Sequence, residues 1–155
     1  MLDLYEELRI LVGKLQESKI EYALCGGLAL AVYGLPRATI DIDLLITKDY
    51  LADVQTIAQK LRYTLKATPM EFAKGVIEIH RVSKIDPEGG DLFSLDFLLV
   101  TPEIDSVWMN RREVEWEDGK LWLVSREGLI TLKSLRGSGQ DLDDIQKLKE
   151  GIDES

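Results

Sequence analysis

The chain has little of several residue types, and each shortage excludes a kind of chemistry. Cys25 is its only cysteine and His80 its only histidine. An internal disulfide, a histidine-rich zinc site and a pair of catalytic histidines are therefore excluded. Basic residues number 19 against 28 acidic ones, which gives a net charge of −9. Because nonspecific nucleic-acid binding depends on Lys and Arg at phosphates, this charge argues against it, although one local basic patch is compatible.

Long apolar runs are also missing from the sequence. No stretch resembles a membrane span, and Met1 is not followed by a signal-peptide pattern. We therefore expect a cytoplasmic protein with a buried, reduced Cys25 and no membrane association. The 155 residues, 45% apolar and 30% charged, are typical of a globular protein. They predict one domain over residues 1–155.

The most informative stretch runs from Leu24 to Ile46, LCGGLALAVYGLPRATIDIDLLI. It predicts a strand, a loop at Gly26 and Gly27, a short helix over 28–32 and a second strand. A glycine loop before a helix directs backbone N–H groups at one point, which suits a phosphate. Two glycines before a helix can also form an ordinary tight turn, so this feature alone is not specific.

Polar side chains alternate with apolar ones along the second strand. Arg37, Thr39, Asp41 and Asp43 share one of its faces. The two carboxylates are spaced to converge on hard cations such as Mg²⁺, and a pair of ions would activate an attacking oxygen and stabilise a leaving one. Simpler interpretations are a solvated acidic face, a surface Arg37 after a proline, and a Thr39 that only favours the strand.

A further acid interrupts an apolar strand predicted over residues 92–100. Asp96 lies in its middle, and an ionised carboxylate there is costly unless it is paired or binds a metal. The alternative is an edge strand from which Asp96 faces solvent. His80, on the preceding strand, is expected to be an exposed residue rather than a ligand or a base.

The remaining pattern predicts alternating helices and strands. A loop or helical turn is expected over 68–74, a hairpin around Asp118-Gly119, and an N-cap at Ser125. Further helices are predicted over 2–18, 50–61, 101–110, 126–135 and 141–150, and further strands over 20–25, 63–67 and 76–85.

Gly26-Gly27 followed by Asp41-x-Asp43 resembles the signature of nucleotidyltransferases of the DNA-polymerase-β type. The fuller pattern, Gly-Gly-x-Ala, Tyr-Gly and Arg-x-Thr-x-Asp-x-Asp, is closest to the minimal and AbiEii-like toxin branch. One position departs from the commonest form, since Gly27 stands where a serine hydroxyl would contact a phosphate. The resemblance implies an α/β (α+β) fold, with a mixed, mostly antiparallel sheet flanked by helices and with C-terminal helices.

The resemblance also implies a reaction. A nucleoside monophosphate would pass from a nucleoside triphosphate to an acceptor hydroxyl, with release of pyrophosphate. Asp96 becomes the third acid, so the catalytic and Mg²⁺-binding residues would be Asp41, Asp43 and Asp96, with two ions expected. The nucleotide would be bound by Gly26, Gly27, Arg37, Thr39 and Lys133.

The C-terminal pattern Lys133-x-x-Arg136 resembles the closing helices of the same branch. By position, Lys133 is the best cation for a triphosphate, with Arg136 next. An ordinary surface helix with Asp–Lys pairs is the alternative. Asp141 and Asp144 are expected to stabilise the start of the last helix through its dipole.

Neither the acceptor nor the partner is identified by the sequence. The acceptor could be a small molecule, a tRNA end or a protein side chain. A second hypothesis is a catalytically silent nucleotidyltransferase-like module that binds a protein partner, for example in a toxin–antitoxin pair. Gly27 and the small size favour the silent module. The set of three aspartates disfavours it, because a binding module has no need for converging acids.

Overall fold

The structure is a computed structural model, and it describes residues 3–35, 41–117, 119–137 and 139–154. Arg37 and Thr39, predicted to bind the nucleotide, lie outside the described residues. Within the described ranges the helices are α1 (Leu4–Glu17), α2 (Gly26–Val32), α3 (Leu51–Lys60), α4 (Asp105–Met109), α5 (Arg126–Arg136) and α6 (Gly139–Glu154). The strands are β1 (Ala23–Cys25), β2 (Asp41–Ile46), β3 (Leu65–Lys66), β4 (Met70–Phe72), β5 (Ile77–Ile85), β6 (Leu92–Leu99), β7 (Arg112–Trp116) and β8 (Gly119–Leu123).

The eight strands form a single mixed sheet. Its order is β3-β5-β6-β2-β1-β8-β7, and β4 pairs with β5 beside β3. The pairs β2–β6 and β1–β8 are parallel, and the remaining pairs are antiparallel. The predicted mixed, mostly antiparallel sheet with flanking helices is therefore confirmed.

The pairing of β5, β6 and β2 determines which residues share each face of the sheet. Arg81 lies opposite Asp96, and Asp96 lies opposite Asp43. Residues opposite one another point to the same face, so these charged side chains stand together. Among the alternate residues on the other face, Phe97 and Leu44 are fully buried.

Helix α1 covers that second, apolar face. The Asp3 side chain caps it by accepting a hydrogen bond from the Tyr5 N–H at 2.9 Å. Its buried stripe consists of Leu8, Leu11, Val12 and Leu15. Glu7 anchors the same helix, because its carboxylate accepts a hydrogen bond from the Tyr63 hydroxyl at 2.6 Å and pairs with Lys84 on β5.

The C-terminal part begins with a hairpin and a capped helix. The hairpin predicted at Asp118-Gly119 is formed by β7 and β8. Ser125 caps α5 as predicted, since its hydroxyl accepts a hydrogen bond from the Gly128 N–H at 3.0 Å. Arg111 joins α4 to the hairpin, with its guanidinium carbon 3.9 Å from the Trp108 ring centroid and 4.9 Å from that of Trp122.

Three local predictions need correction. The expected loop over 68–74 contains β4, which pairs with β5 through backbone hydrogen bonds. Its alternation of Met, Glu and Phe covers only three residues, too few to predict a strand. Helix α2 begins at Gly26 rather than after the glycines. His80 is largely buried rather than exposed, with Nε2 2.7 Å from Glu78 Oε2.

Candidate active site

The parallel pairing of β2 and β6 brings the predicted acids together. Asp43 lies directly opposite Asp96, and Asp41 lies opposite Ser94. Asp96 is 4% exposed, whereas Asp41 keeps about a third of its side chain in solvent, at 35%. The apolar run around Asp96 thus belongs to a central strand, not to an edge strand from which Asp96 would face solvent. The structure places all three predicted acids on one face of the sheet.

Gly26 is in contact with one of these acids. Its φ of +69° lies in the left-handed region, which side chains other than glycine rarely adopt. A Cβ atom at this position would lie 1.9 Å from Oδ2 of Asp43. The backbone at Gly26 can therefore approach Asp43 only because it has no side chain, and this contact explains the first glycine of the sequence pattern.

The crowded carboxylates have altered proton affinities. Burial raises the pKa of Asp43 well above its usual range, and the charge of Asp96 and a hydrogen bond to it raise this pKa further. Burial also raises the pKa of Asp41, as does the charge of Asp96, while Arg81 acts in the opposite direction. Ionising these carboxyl groups is unfavourable because they are buried and close to one another. A bound cation would stabilise their ionised forms.

Arg81 is a member of the cluster that sequence reasoning missed. Its Nε donates to Oδ1 of Asp96 at 2.7 Å, and its Nη2 donates to Oδ2 at 2.8 Å. Nη2 also lies 3.8 Å from Oδ2 of Asp41. The pairing raises the pKa of the guanidinium, chiefly through the hydrogen bonds to Asp96. The only signal in the sequence was its place on the strand before Asp96, and this does not establish the register.

Helix α5 brings two more cations to the site. A recess with room for about one water molecule is lined by Gly26 and Asp43 together with Lys133 and Arg136. Lys133 therefore lies near Gly26 and Asp43, and its role with the nucleotide stays a prediction. The thiol of Cys25 also lines the recess, and burial raises its pKa, as expected for an unreactive core cysteine.

Lys133 is held by an acid on the last helix. Its Nζ lies 3.0 Å from Oδ2 of Asp144, and their side chains are only 10% and 7% exposed. The dipole interpretation of Asp144 is wrong, because α6 begins at Gly139 and Asp144 lies beyond its first turn. The side chain of Asp141 is outside the described set. Asp144 thus joins the site indirectly, by positioning Lys133.

The donor set is suited to a hard cation. Carboxylate oxygens are the ligands that Mg²⁺ prefers, and Asp41, Asp43 and Asp96 present three carboxyl groups on one face of the sheet. In the part of the chain that the structure describes, no group of three His, Cys, Asp or Glu side chains is already arranged to hold a metal ion. Both oxygens of Asp96 accept hydrogen bonds from Arg81 instead.

The fold is shared with solved structures. A candidate nucleotidyltransferase of Thermotoga maritima, TM1012, superposes with a TM-score of 0.59 at 16% identity, covering 97% of this chain and 93% of that one. The lincosamide antibiotic adenylyltransferase LnuA superposes with a TM-score of 0.56 at 22% identity, covering 93% of this chain and 95% of that one. The antibiotic-resistance factor ANT(2'')-Ia superposes with a TM-score of 0.54 at 13% identity, covering 94% of this chain and 82% of that one. The chain therefore has the nucleotidyltransferase fold.

The sequence itself defines the family. Residues 9–107 match the profile of the nucleotidyl transferase AbiEii toxin, of type IV toxin–antitoxin systems. This chain belongs to the AbiEii family and is a nucleotidyltransferase, as the sequence resemblance predicted. A comparison with curated proteins gives no significant match. Among the described helices, none is both long and apolar enough to cross a membrane.

Proposed function

We propose that this chain transfers a nucleoside monophosphate from a nucleoside triphosphate to an acceptor hydroxyl, in a reaction that depends on Mg²⁺. The observation that carries the proposal is the register of β2 and β6, which sets Asp43 beside Asp96 with Asp41 on the same face. In the reaction, the acceptor oxygen forms a bond to the α-phosphorus. The bond from that phosphorus to the pyrophosphate oxygen breaks, and the hydroxyl proton leaves to a carboxylate or to solvent.

The acids of the site would bind the metal and help to activate the acceptor. Asp41, Asp43 and the adjacent Asp96 would bind Mg²⁺, and we expect two ions. The metal would neutralise phosphate charge and lower the pKa of an oxygen bound to it. Asp96 would also help to activate the acceptor. Most of the rate enhancement would then come from positioning and from charge neutralisation.

The nucleotide would lie against the glycine turn and α5. Gly26 lines a recess together with Lys133 and Arg136, and Gly26 and Gly27 would offer backbone N–H groups at the start of α2. The two cations would bind phosphate oxygens. Arg37 and Thr39 stay in this proposal from the sequence alone.

The acceptor and the partner follow from the family at a coarse level. AbiEii is named as the toxin of a type IV toxin–antitoxin system, so we propose an antitoxin as the protein partner. LnuA is named for a lincosamide antibiotic, which supports including small hydroxyl compounds in an acceptor search, together with tRNA and protein.

A silent binding module is the second candidate. The observation that favours it is the pairing of Arg81 with both oxygens of Asp96, because this arrangement withdraws the third acid from chemistry. The missing hydroxyl at Gly27 points in the same direction. The concentrated acids at Asp41 and Asp43 favour the enzyme.

The test combines nucleotide binding with transfer. Calorimetry of each of the four nucleoside triphosphates, with Mg²⁺ and then with EDTA, should show metal-dependent binding of at least one. Asp41→Asn should abolish this binding and the release of pyrophosphate. Asp53→Asn is the matched control, because Asp53 is exposed on α3. Nucleotide binding that persists in EDTA, or that is unchanged in Asp41→Asn, would favour the silent module.

A further inference from the structure

Arg81 forms a bidentate pair with an acid that the proposed function needs. Both oxygens of Asp96 accept hydrogen bonds from it, at 2.7 and 2.8 Å. The Asp96 side chain is 6% exposed, and that of Arg81 is 36% exposed. The acid is therefore enclosed, while its partner is partly exposed to solvent.

The pair is not needed to align the two strands. Backbone pairing already aligns β5 and β6 from Ile79 opposite Leu98 to Ile85 opposite Leu92. Ser83 and Ser94 add a buried hydrogen bond of 2.8 Å between their hydroxyls, beside the Arg81 pair. A guanidinium placed only to join these strands would have no reason to lie between two acids.

The position of Arg81 is that of a counter-cation for the cluster. Its Nη2 lies between Asp96 and Asp41, 3.8 Å from the latter, and Asp43 adjoins Asp96 on the far side. One guanidinium thus offsets part of the charge of three carboxylates. A divalent cation that binds Asp96 must compete with this guanidinium for the same oxygens.

We infer that Arg81 is a positioning residue that holds Asp96 as an internal counter-cation and keeps the affinity of the site for free divalent metal low. Metal that binds Asp96 does so against the positive charge of Arg81, which already holds both carboxylate oxygens. This inference rests on the proposed function, since it assigns Asp96 to the metal site. It predicts that a cation binds weakly in the absence of the nucleotide phosphates that would bring further ligands.

The experiment is calorimetry of Mn²⁺ and of Mg²⁺ alone, without nucleotide, at about pH 8, where protons compete least with metal. Arg81→Gln removes the charge, and we expect it to bind the metal about tenfold more tightly than the unmodified protein, or better. Arg81→Lys keeps the charge but cannot bind Asp96 in the same bidentate way, so its affinity should lie between the two.

Arg9→Gln is the matched control, because it removes a charge from an ion-paired arginine on α1, on the other face of the sheet. Its metal affinity should equal that of the unmodified protein. Circular dichroism establishes that each variant is folded. If Arg81→Gln does not fold, Arg81→Lys alone decides the question, by binding metal more tightly or not.

Metal affinity that is unchanged or weaker in the folded Arg81 variants would overturn the inference. A parallel assay of nucleotidyl transfer by the unmodified protein separates this result from a failure of the proposed function. Transfer without tighter metal binding in the variants would refute the role of Arg81 alone. Absence of both transfer and metal binding in every protein would refute the two proposals together.

Discussion

Gly26 and Asp43 lie so close that a single methyl group between them would collide with the carboxylate. A Cβ atom at Gly26 would be 1.9 Å from Asp43 Oδ2. The backbone at Gly26 and the carboxylate of Asp43 are therefore packed against each other, and both line the recess.

Gly26→Ala should destabilise the protein and impair nucleotide binding. The positive φ alone costs about 1–2 kcal/mol for a residue with a side chain, and the collision with Asp43 adds to it. Gly34→Ala is the matched control, because Gly34 has a φ of +84° and no atom within 4 Å of the added carbon. Urea unfolding of both variants measures the difference. Equal losses in the two variants would show that the contact with Asp43 has no energetic weight.

Asp43→Asn should make the fold more stable at neutral pH. The folded-state pKa of Asp43 is raised above its ordinary value of 3.8, so the fold favours the protonated form. Its contribution to stability is present below the unfolded pKa and is lost as pH rises through the folded pKa. The variant does not ionise. Its advantage in free energy of unfolding should therefore be larger at about pH 8 than at about pH 4.

Urea midpoints at the two pH values measure that advantage. Asp53→Asn, on the exposed surface of α3, shows how much an ordinary exposed carboxylate contributes to the pH dependence of the free energy of unfolding. A variant less stable than the unmodified protein at the higher pH would contradict the raised pKa of Asp43.

Asp144→Asn should destabilise the C-terminal helices. Removing one partner of a buried ion pair takes a counter-charge away from the other buried group and costs up to about 3–5 kcal/mol. The Lys133–Asp144 pair is almost completely buried, so the loss in the free energy of unfolding should approach that range. Asp143→Asn, on the adjacent exposed position of α6, should change the free energy of unfolding by less than about 0.5 kcal/mol. Similar values for the two variants would show that the pair is of no importance.

Arg111→Lys should weaken the junction between α4 and the β7–β8 hairpin. The planar guanidinium lies against the rings of Trp108 and Trp122 and donates to the Trp108 carbonyl at 2.9 Å. Lysine keeps the charge but cannot stack, and a loss of about 1–2 kcal/mol is expected. Tryptophan fluorescence during urea unfolding reports the change at the site itself. An unchanged midpoint would show that stacking is not required.

The sequence predicted those parts of the fold and site that depend on local pattern. Alternation in β2 identified Asp41 and Asp43, and the interruption of an apolar run in β6 identified Asp96. The cap at Ser125 was visible as a serine directly before a helical pattern. β4 was missed because its pairing with β5 is a tertiary effect. Arg81 was missed for a related reason. Its role depends on which residue of the neighbouring strand lies opposite it, and a shift of one position would turn it to the other face.

The pairing of β5 with β6 has a consequence for the order of folding. These strands are neighbours in sequence, so their hairpin closes a short loop, whereas β2 must reach β6 across a long one. We expect Arg81 and Asp96 to meet before Asp43 arrives, and pulsed hydrogen exchange should protect β5 and β6 amides earlier than those of β2. Simultaneous protection would argue against this order. Asp96 would thus be paired with Arg81 from the first stage of folding. Its carboxylate would then not be buried in the core as an unpaired charge.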